Sequence, residues 1–513
     1  MNYADLFRMT LPETALEIAA LLVLVVDLGF LRRAAVQTRV FVAVVIGTLG
    51  CAAALFALLA QTSGGLTAAS GDVLLIAGGY STAAQDGILT LTVLTLFLFI
   101  DSDFTRHAGE FVAVELMAAT GGLLISAAQD LLVIFVGLEL LSLGLYILTA
   151  FAKKSGKSAE GAMKYYLFGG MSAAFLLFGF SYLYGLTGST NLHQIMTALY
   201  TSDGVNSAPL LYVALVMVAA GLGFKVAAVP FHLWAPDTYE GAPAPSAAFI
   251  ASVSKVASFA LLIGIGTAAF HVFDDTHGVH QFLVAGEGPL PRLIGFRAPW
   301  TVILVLLSVA SMVLGNLAAL AQTSVRRLLA YSAISHAGYM LLALAYFSRT
   351  SDSANAILYY ILTYGLTTIG AFGAVSVVER ITGSDRMDAF LGLHKRSPIL
   401  AAILLVLFLS LAGIPPLVGF WAKFNLFAAV LGVSRGVVPF TVVALALAMS
   451  AVSFYYYLQV LKRVYVMPAV DEAPIDAHHV TVGVLLFIAL AVVTLGCFPA
   501  LLQNWIMGFY AAL

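Results

Sequence analysis

The chain has 513 residues, 61% of them hydrophobic and only 10% charged, with a formal net charge of −2 and a mean hydropathy of +1.00. A soluble domain carries about 25% charged residues, so a soluble fold of this size is excluded. The near-neutral balance also excludes a basic footprint for nucleic acid and a polybasic membrane-surface tail.

Apolar runs long enough to cross about 30 Å of hydrocarbon are predicted at 11–31, 39–61, 84–101, 110–128, 130–151, 160–186, 209–229, 243–267, 299–321, 327–347, 355–379, 399–432, 438–466 and 480–502. Fourteen such helices make an all-α polytopic membrane protein. The first run is one of many alike, so it does not read as a cleavable signal. Cys51 and Cys497 lie far apart in apolar segments and read as small hydrophobes, not a disulfide framework or metal site.

Loop charge sets the orientation. With a periplasmic N-terminus, the cytoplasmic loops hold Arg32, Arg33, Arg39, Arg106, Lys153, Lys154, Lys157, Arg326, Arg327, Arg380, Arg386, Lys395, Arg396, Lys462 and Arg463. The opposite side holds only Arg8, Arg292, Arg297, Arg349 and Arg435. Both termini are therefore expected in the periplasm of a bacterial inner membrane. The Ala-rich composition suits a GC-rich bacterial genome.

Two spans look broken. The seventh runs into Pro230, and the twelfth carries Gly413, Pro415, Pro416 and Gly419 inside an apolar run. Each falls fourth in a unit of five spans, helices 4–8 and 9–13. A unit with an odd number of spans re-enters the membrane from the other side, so the repeats are expected to be inverted. Interrupted helices at matching positions of two halves point to a transport pathway. The expected organisation is helices 1–3 at 1–109, a first repeat at 110–267, an extramembrane loop at 268–298, a second repeat at 299–466, and a loop with helix 14 at 467–513.

Charge inside these spans carries the chemistry. Glu139, Lys225, Lys255 and Lys423 all fall within apolar segments. Each costs roughly 2.5–3.5 kcal/mol near the bilayer centre on the insertion scale. Lysine suits proton transfer because its pKa moves readily on burial, whereas arginine stays charged. A carboxylate near Lys225 favours the ammonium, and moving it away releases a proton, which makes a switchable relay. The plainer alternative is a set of static ion pairs between helices. Three secondary relay candidates follow: His336, otherwise a hydrogen-bonded core histidine; Lys164, otherwise an interfacial anchor; and Glu115, otherwise a partner for a neighbouring helix.

The remaining polar residues read more simply. His232 lines the loop after Pro230 as a structural residue. His271, His277 and His280 stand with Asp274 and Asp275 in a solvated loop whose irregular spacing argues against a metal site. Tyr455, Tyr456 and Tyr457 read as packing. With no Gly-rich phosphate loop, paired-Cys motif or bis-histidine pattern, redox chemistry is assigned to other polypeptides.

The segment Gly223-Phe224-Lys225-Val226-Ala227-Ala228-Val229-Pro230-Phe231-His232-Leu233-Trp234-Ala235-Pro236-Asp237 resembles the hallmark of the antiporter-like subunits of respiratory complex I. Gly137-Leu138-Glu139-Leu140, Ala162-Met163-Lys164-Tyr165-Tyr166, the run from Arg327 to Tyr339 and Leu411-Ala412-Gly413-Ile414-Pro415-Pro416 extend the likeness over about residues 110–465. The ending Tyr239-Glu240-Gly241-Ala242-Pro243 is similar to the subunit N branch, the counterpart of mitochondrial subunit 2. Lys423, where the subunit M pattern has a glutamate, and the end of the chain after helix 14, without the lateral helix of subunit L, lean the same way.

The resemblance implies a subunit of the membrane arm of NADH:quinone oxidoreductase, coupling electron transfer elsewhere to outward proton pumping. It implies that Glu139 and Lys225 are the coupling pair, Lys255 the connecting residue, Lys423 the charge near the exit and His336 part of the hydrated axis. It implies no cofactor in this chain, with FMN, iron–sulfur clusters and quinone in partner subunits. The implied neighbours are subunits M, K and J. Glu115 departs from the family pattern and is an extra acidic site. The 268–298 loop is longer than usual and is expected to contact another subunit. The alternatives are an Mrp-type Na⁺/H⁺ antiporter subunit, a pump subunit of a ferredoxin- or hydrogenase-linked complex, and a membrane scaffold without transport.

Overall fold

A hydrocarbon layer offers no water to backbone N–H and C=O groups, so a chain this apolar closes its hydrogen bonds within helices. The computed structural model describes residues 3–63, 73–201, 208–275, 291–347, 351–433, 436–469, 473–475 and 477–511. Its principal helices are α1 (Leu11–Val25, prolonged by a π-helical turn to Phe30), α2 (Val36–Ser63), α3 (Gly79–Phe99), α4 (Ala108–Ala127), α5 (Leu131–Thr149), α6 (Gly156–Thr187), α7 (Leu192–Thr201), α8 (Ala208–Val226), α9 (Trp234–Gly241) and α10 (Ala244–Ala251). There follow α11 (Val253–Asp275), α12 (Pro291–Leu320), α13 (Val325–Ala345), α14 (Ser351–Thr382), α15 (Pro398–Ala412), α16 (Val418–Val433), α17 (Val437–Tyr465), α18 (His479–Cys497) and α19 (Pro499–Ala511).

Helix starts are set by local chemistry. Asp130, Ser155 and Ser324 cap α5, α6 and α13, each side chain accepting a bond from a first-turn N–H. Twelve helices among the described residues are long and apolar enough to cross a membrane, with α10 and α11 counted as one. Two predicted spans fall outside that number. The first corresponds to α1, whose 15 α-helical residues pass into the π-helical turn. The twelfth is divided into α15 and α16, of 15 and 16 residues.

The breaks lie where proline and glycine forecast them, with sharper limits. Helix α8 ends at Val226, before the predicted 229, because Ala227 takes φ 60. A residue with a Cβ takes that left-handed backbone at a cost of roughly 1–2 kcal/mol. The freed groups find partners: Val229 N–H donates to Ser311 Oγ at 2.9 Å, and the Phe224 carbonyl accepts from Trp234 Nε1 at 3.0 Å. At the second break Gly413 takes φ 86. The Gly413 and Ile414 N–H groups both return to the Leu409 carbonyl at 3.1 Å, closing the end of α15.

Two boundaries differ from expectation. The predicted 243–267 span is kinked at Ser252, whose hydroxyl donates to the Ala248 carbonyl at 2.6 Å; a serine back-bond bends a helix without any proline. The predicted 268–298 loop is narrower, since α11 runs to Asp275 and α12 begins at Pro291. Residues 276–290, with His277 and His280, and the His271, Asp274 and Asp275 side chains lie outside the described residues, and so does the expected subunit contact of that loop.

Burial inverts the soluble pattern. Helices α10, α11, α13 and α14 are almost wholly enclosed, whereas α2, α6, α17 and α18 form the periphery. The periphery presents large apolar side chains such as Phe56, Tyr166, Phe178, Phe440 and Leu490. Small residues let the helices approach: a Cβ on Gly121 would stand 2.5 Å from the Leu141 backbone nitrogen, and one on Gly338 2.8 Å from that of Met312.

Candidate functional site

Three of the four intramembrane charges are fully enclosed: Lys225, Lys255 and Lys423 are 7%, 1% and 6% exposed. Glu139 differs. It is half-buried on α5, on the stripe that exposes Leu132, Val136, Leu143 and Ile147. Lys225, in the last turn of α8, reaches α5 at Ser142, whose hydroxyl accepts from the ammonium and donates to the Leu138 carbonyl. Among the described residues no ion pair joins Lys225 directly to Glu139. Ser142 lies one helical turn from Glu139 and was not singled out from the sequence; a hydroxyl three residues after the carboxylate was the available signal.

Lys255 leads into α13. Its ammonium donates to the Ala333 carbonyl at 2.6 Å and stands 5.7 Å from the centre of the Tyr364 ring. His336, one turn on from Ala333, is 4.8 Å ring to ring from the same Tyr364. Its Nδ1 lies 2.7 Å from the Tyr360 hydroxyl, while Nε2 is buried without a partner among the described residues. Beside it is a cavity of about 10 Å³ lined by Tyr360, Thr363, Thr367, Ser410 and Gly419, roughly the room one water needs.

Tyr339 continues the line, with its ring 5.8 Å from His336 and 5.6 Å from the Lys423 ammonium. Lys423 sits under the end of α15, donating to the Leu411 and Ala412 carbonyls at 3.1 and 3.0 Å and to Ser450 Oγ at 2.9 Å. The negative end of a half-helix is where a cation is favoured. Lys255, His336 and Lys423 thus share aromatic neighbours in one unbroken line, with Glu139 and Lys225 in a separate group.

Two tyrosines expected as packing have polar roles. Tyr456 donates to Asn316 Oδ1 at 3.2 Å, Asn316 donates to the Tyr339 hydroxyl at 3.1 Å, and the Tyr457 hydroxyl pairs with Ser332. Tyr455 is exposed. Glu115 is fully buried, its Oε1 accepting from Thr95 at 2.5 Å and its Oε2 unpartnered among the described residues. That contact is with α3, and none of the relay lysines is among its described partners. His232 is buried in the α8–α9 connection with Nδ1 unpartnered among the described residues.

Lys164 belongs to a different cluster. It pairs with Glu160 at 2.7 Å and with Asp237 of α9 at 2.6 Å. Arg327 reaches Asp237 at 2.5 Å and Glu240 at 2.9 Å, and Lys157 reaches Glu240 at 2.7 Å. Burial alone would raise the Asp237 and Glu240 carboxyls, but Lys164, Lys157 and Arg327 outweigh it and hold both below the ordinary carboxylate range. Arg326 donates to the Tyr239 carbonyl at 3.0 Å and to that of Ala242, and pairs with Glu379 at 3.2 Å. These contacts clamp α9 to α6, α13 and α14 beside a charged cleft of about 300 Å³. Among the described residues no group of three or more His, Cys, Asp or Glu side chains is placed to hold a metal ion.

The family described as NADH:quinone oxidoreductase/Mrp antiporter, TM, matches residues 128–285 and 290–449. NADH-quinone oxidoreductase subunit N 2 of Acidobacterium capsulatum is 45% identical, with 99% of each chain covered. A chain of respiratory complex I from Thermus thermophilus with bound aureothin superposes with a TM-score of 0.74 at 33% identity, covering 96% of this chain and 98% of that one. A chain of the Mrp complex from Dietzia sp. gives 0.77 at 19% identity over 98% and 96%, a likeness of fold alone. With more than half of the chain inside the family and a full-length relative this similar, the chain belongs to the NADH-quinone oxidoreductase subunit N family.

Proposed function

We propose that the chain is a proton-translocating membrane-arm subunit of NADH:quinone oxidoreductase, using redox energy released in other subunits to move protons outward. Membership of the subunit N family carries this reading, and the buried line Lys255, Tyr364, His336, Tyr339 and Lys423 supports it physically. Lysines whose described partners are carbonyls, a hydroxyl and ring faces are poorly explained as static ion pairs. Glu139 and Lys225 serve as the coupling pair, with Ser142 between them, and Lys255, His336 and Lys423 carry the proton onward. Pro230, Pro415 and Pro416 keep the two helices broken, and at the second break the Leu411 and Ala412 carbonyls face the Lys423 ammonium. Lys164 and Glu115 stand as secondary candidates.

Residues 110–267 and 299–466 form the two inverted repeats in this reading, each with its interruption in the fourth span. The chain resides in a bacterial inner membrane with both termini periplasmic, supported by the basic residues clustered around Arg326, Arg327 and Lys157. The half-buried carboxylate of Glu139 on an apolar outer stripe fits a face covered by a neighbouring subunit rather than lipid. Subunits M, K and J are the proposed neighbours. FMN, iron–sulfur clusters and quinone are assigned to partners, and this chain holds none.

Gentle extraction of the native complex tests the reading. Co-purification of the chain with FMN, iron–sulfur signals and NADH-driven quinone reduction is the expected result. Recovery with membrane subunits only, no cofactor, and Na⁺-dependent proton exchange in vesicles would establish the antiporter reading instead.

A further inference from the structure

Helix α14 borders three cavities along its 32 residues. Its C-terminal end, with Glu379 and Arg380, lines the charged cleft. Its middle lines the small cavity beside His336. Its N-terminal end, on the opposite side of the bundle from Arg326, lines a cavity of about 630 Å³ through Asp352, Asn355 and Tyr359. The facing wall is α16, with Asn425, Ala428 and Ala429, and α19 closes the space with Gln503.

The outer and middle cavities lie on one seam. Asp352, Asn355, Tyr359, Thr363 and Thr367 recur at three- and four-residue spacing, which is a single face of α14. Tyr359 and Thr363 are separated by about 6 Å of helix rise, and each lines a different cavity. Across the seam α16 offers small side chains, Gly419 and Ala422 at the inner cavity and Ala428 and Ala429 at the outer. Tyr359 is 1% exposed, and its hydroxyl and Asn355 Oδ1 are buried without partners among the described residues. Orphaned polar atoms of this kind cost about 1–3 kcal/mol each, a cost that water in the adjoining cavity removes. Lys423 lines neither cavity; its ammonium is turned to Leu411, Ala412 and Ser450.

The Thr363 hydroxyl is held to the Tyr359 and Tyr360 carbonyls at 2.8 and 3.0 Å. We propose that protons leave the relay along this seam, from His336 and the Tyr360 hydroxyl through water in the inner cavity to Tyr359, whose hydroxyl is the last protein group before water in the outer cavity. At each passage the Tyr359 oxygen accepts one proton and releases its own to cavity water, so the residue is restored and no oxidant or reductant takes part. The outlet rests on the proton-translocation reading and deepens it by naming the path from the His336 level to the outer side.

The test uses the whole complex in vesicles, in a Cys497→Ala background that leaves only the buried Cys51 in this chain, with the Cys497→Ala complex treated alike as the control for thiols of other subunits. Asn355→Cys and, on a separate helix, Gln503→Cys are treated with a membrane-impermeant cationic thiosulfonate from each side. The expected result is modification from the outer side alone, with NADH-driven proton delivery falling as far as in Lys225→Ala, each unmodified variant serving as its own reference. Tyr359→Phe, which keeps the ring and removes only the hydroxyl, is expected to lower delivery without reagent. Modification that leaves delivery unchanged, reaction from the cytoplasmic side, or no reaction at either cysteine would overturn the outlet. If Lys225→Ala itself leaves delivery unchanged, the pumping reading fails; if only the cavity variants do so, the outlet alone is rejected.

Discussion

Lys255 and Lys423 meet backbone carbonyls, a hydroxyl and aromatic faces, with no carboxylate among their described partners. Such a shell accepts hydrogen bonds from an ammonium yet leaves its proton free to depart. Arginine would keep the charge and lose the transfer. Lys255→Arg is therefore expected to cut proton delivery by at least about a hundredfold, the lower range for a positioned proton carrier, while the complex still assembles. A static role predicts that arginine substitutes well, and vesicle pH measurements distinguish the two. Ser142→Ala removes the hydroxyl between Lys225 and α5. Turnover is expected to fall about fivefold, the equivalent of roughly 1 kcal/mol for one hydrogen bond, and a steady-state rate comparison checks it.

At the scale of elements, the two broken helices depend on a few backbone positions. A Cβ on Gly413 would sit at φ 86 and 3.0 Å from Lys423 Cδ. Gly413→Ala should destabilise the break by about 1–2 kcal/mol and displace the lysine, read as lost turnover with retained assembly. Arg326→Leu strips two buried carbonyls of their donor, at about 1–3 kcal/mol each, and should loosen α9 against α13; faster hydrogen exchange across Trp234–Gly241 is the readout. The Asp237 and Glu240 carboxyls are held low, so the stability they add is complete above the unfolded range of about 4. It is lost as pH falls through their lower folded values. Protection of α9 amides, after division by the intrinsic exchange rate at each pH, should accordingly be flat from neutral pH down to about 5 and fall only in stronger acid.

The breaks were legible because proline and glycine interrupt helices by themselves. The Ser252 kink was not, since a serine inside an apolar run rarely announces a bend. The α9 clamp was illegible too, because Asp237 and Arg327 are 90 positions apart and only the fold joins them. Lysines 225, 255 and 423 stood out as charges in hydrocarbon, whereas Ser142, Tyr360 and Tyr364 looked like ordinary helix residues until placed beside them.

For the whole molecule, the enclosed helices carry the polar chemistry and the periphery carries the apolar side chains, so the bundle is an insulated conductor rather than a soluble core. That arrangement has meaning only within a membrane. The central claim is that buried charge in this chain moves protons when NADH is oxidised. Its most direct test is NADH-driven acidification in vesicles holding the intact complex, comparing the native chain with Lys225→Ala. The account predicts that the variant assembles with its full complement of subunits and loses proton delivery together with coupled turnover. Native rates of both quinone reduction and proton delivery in an assembled Lys225→Ala complex would contradict it.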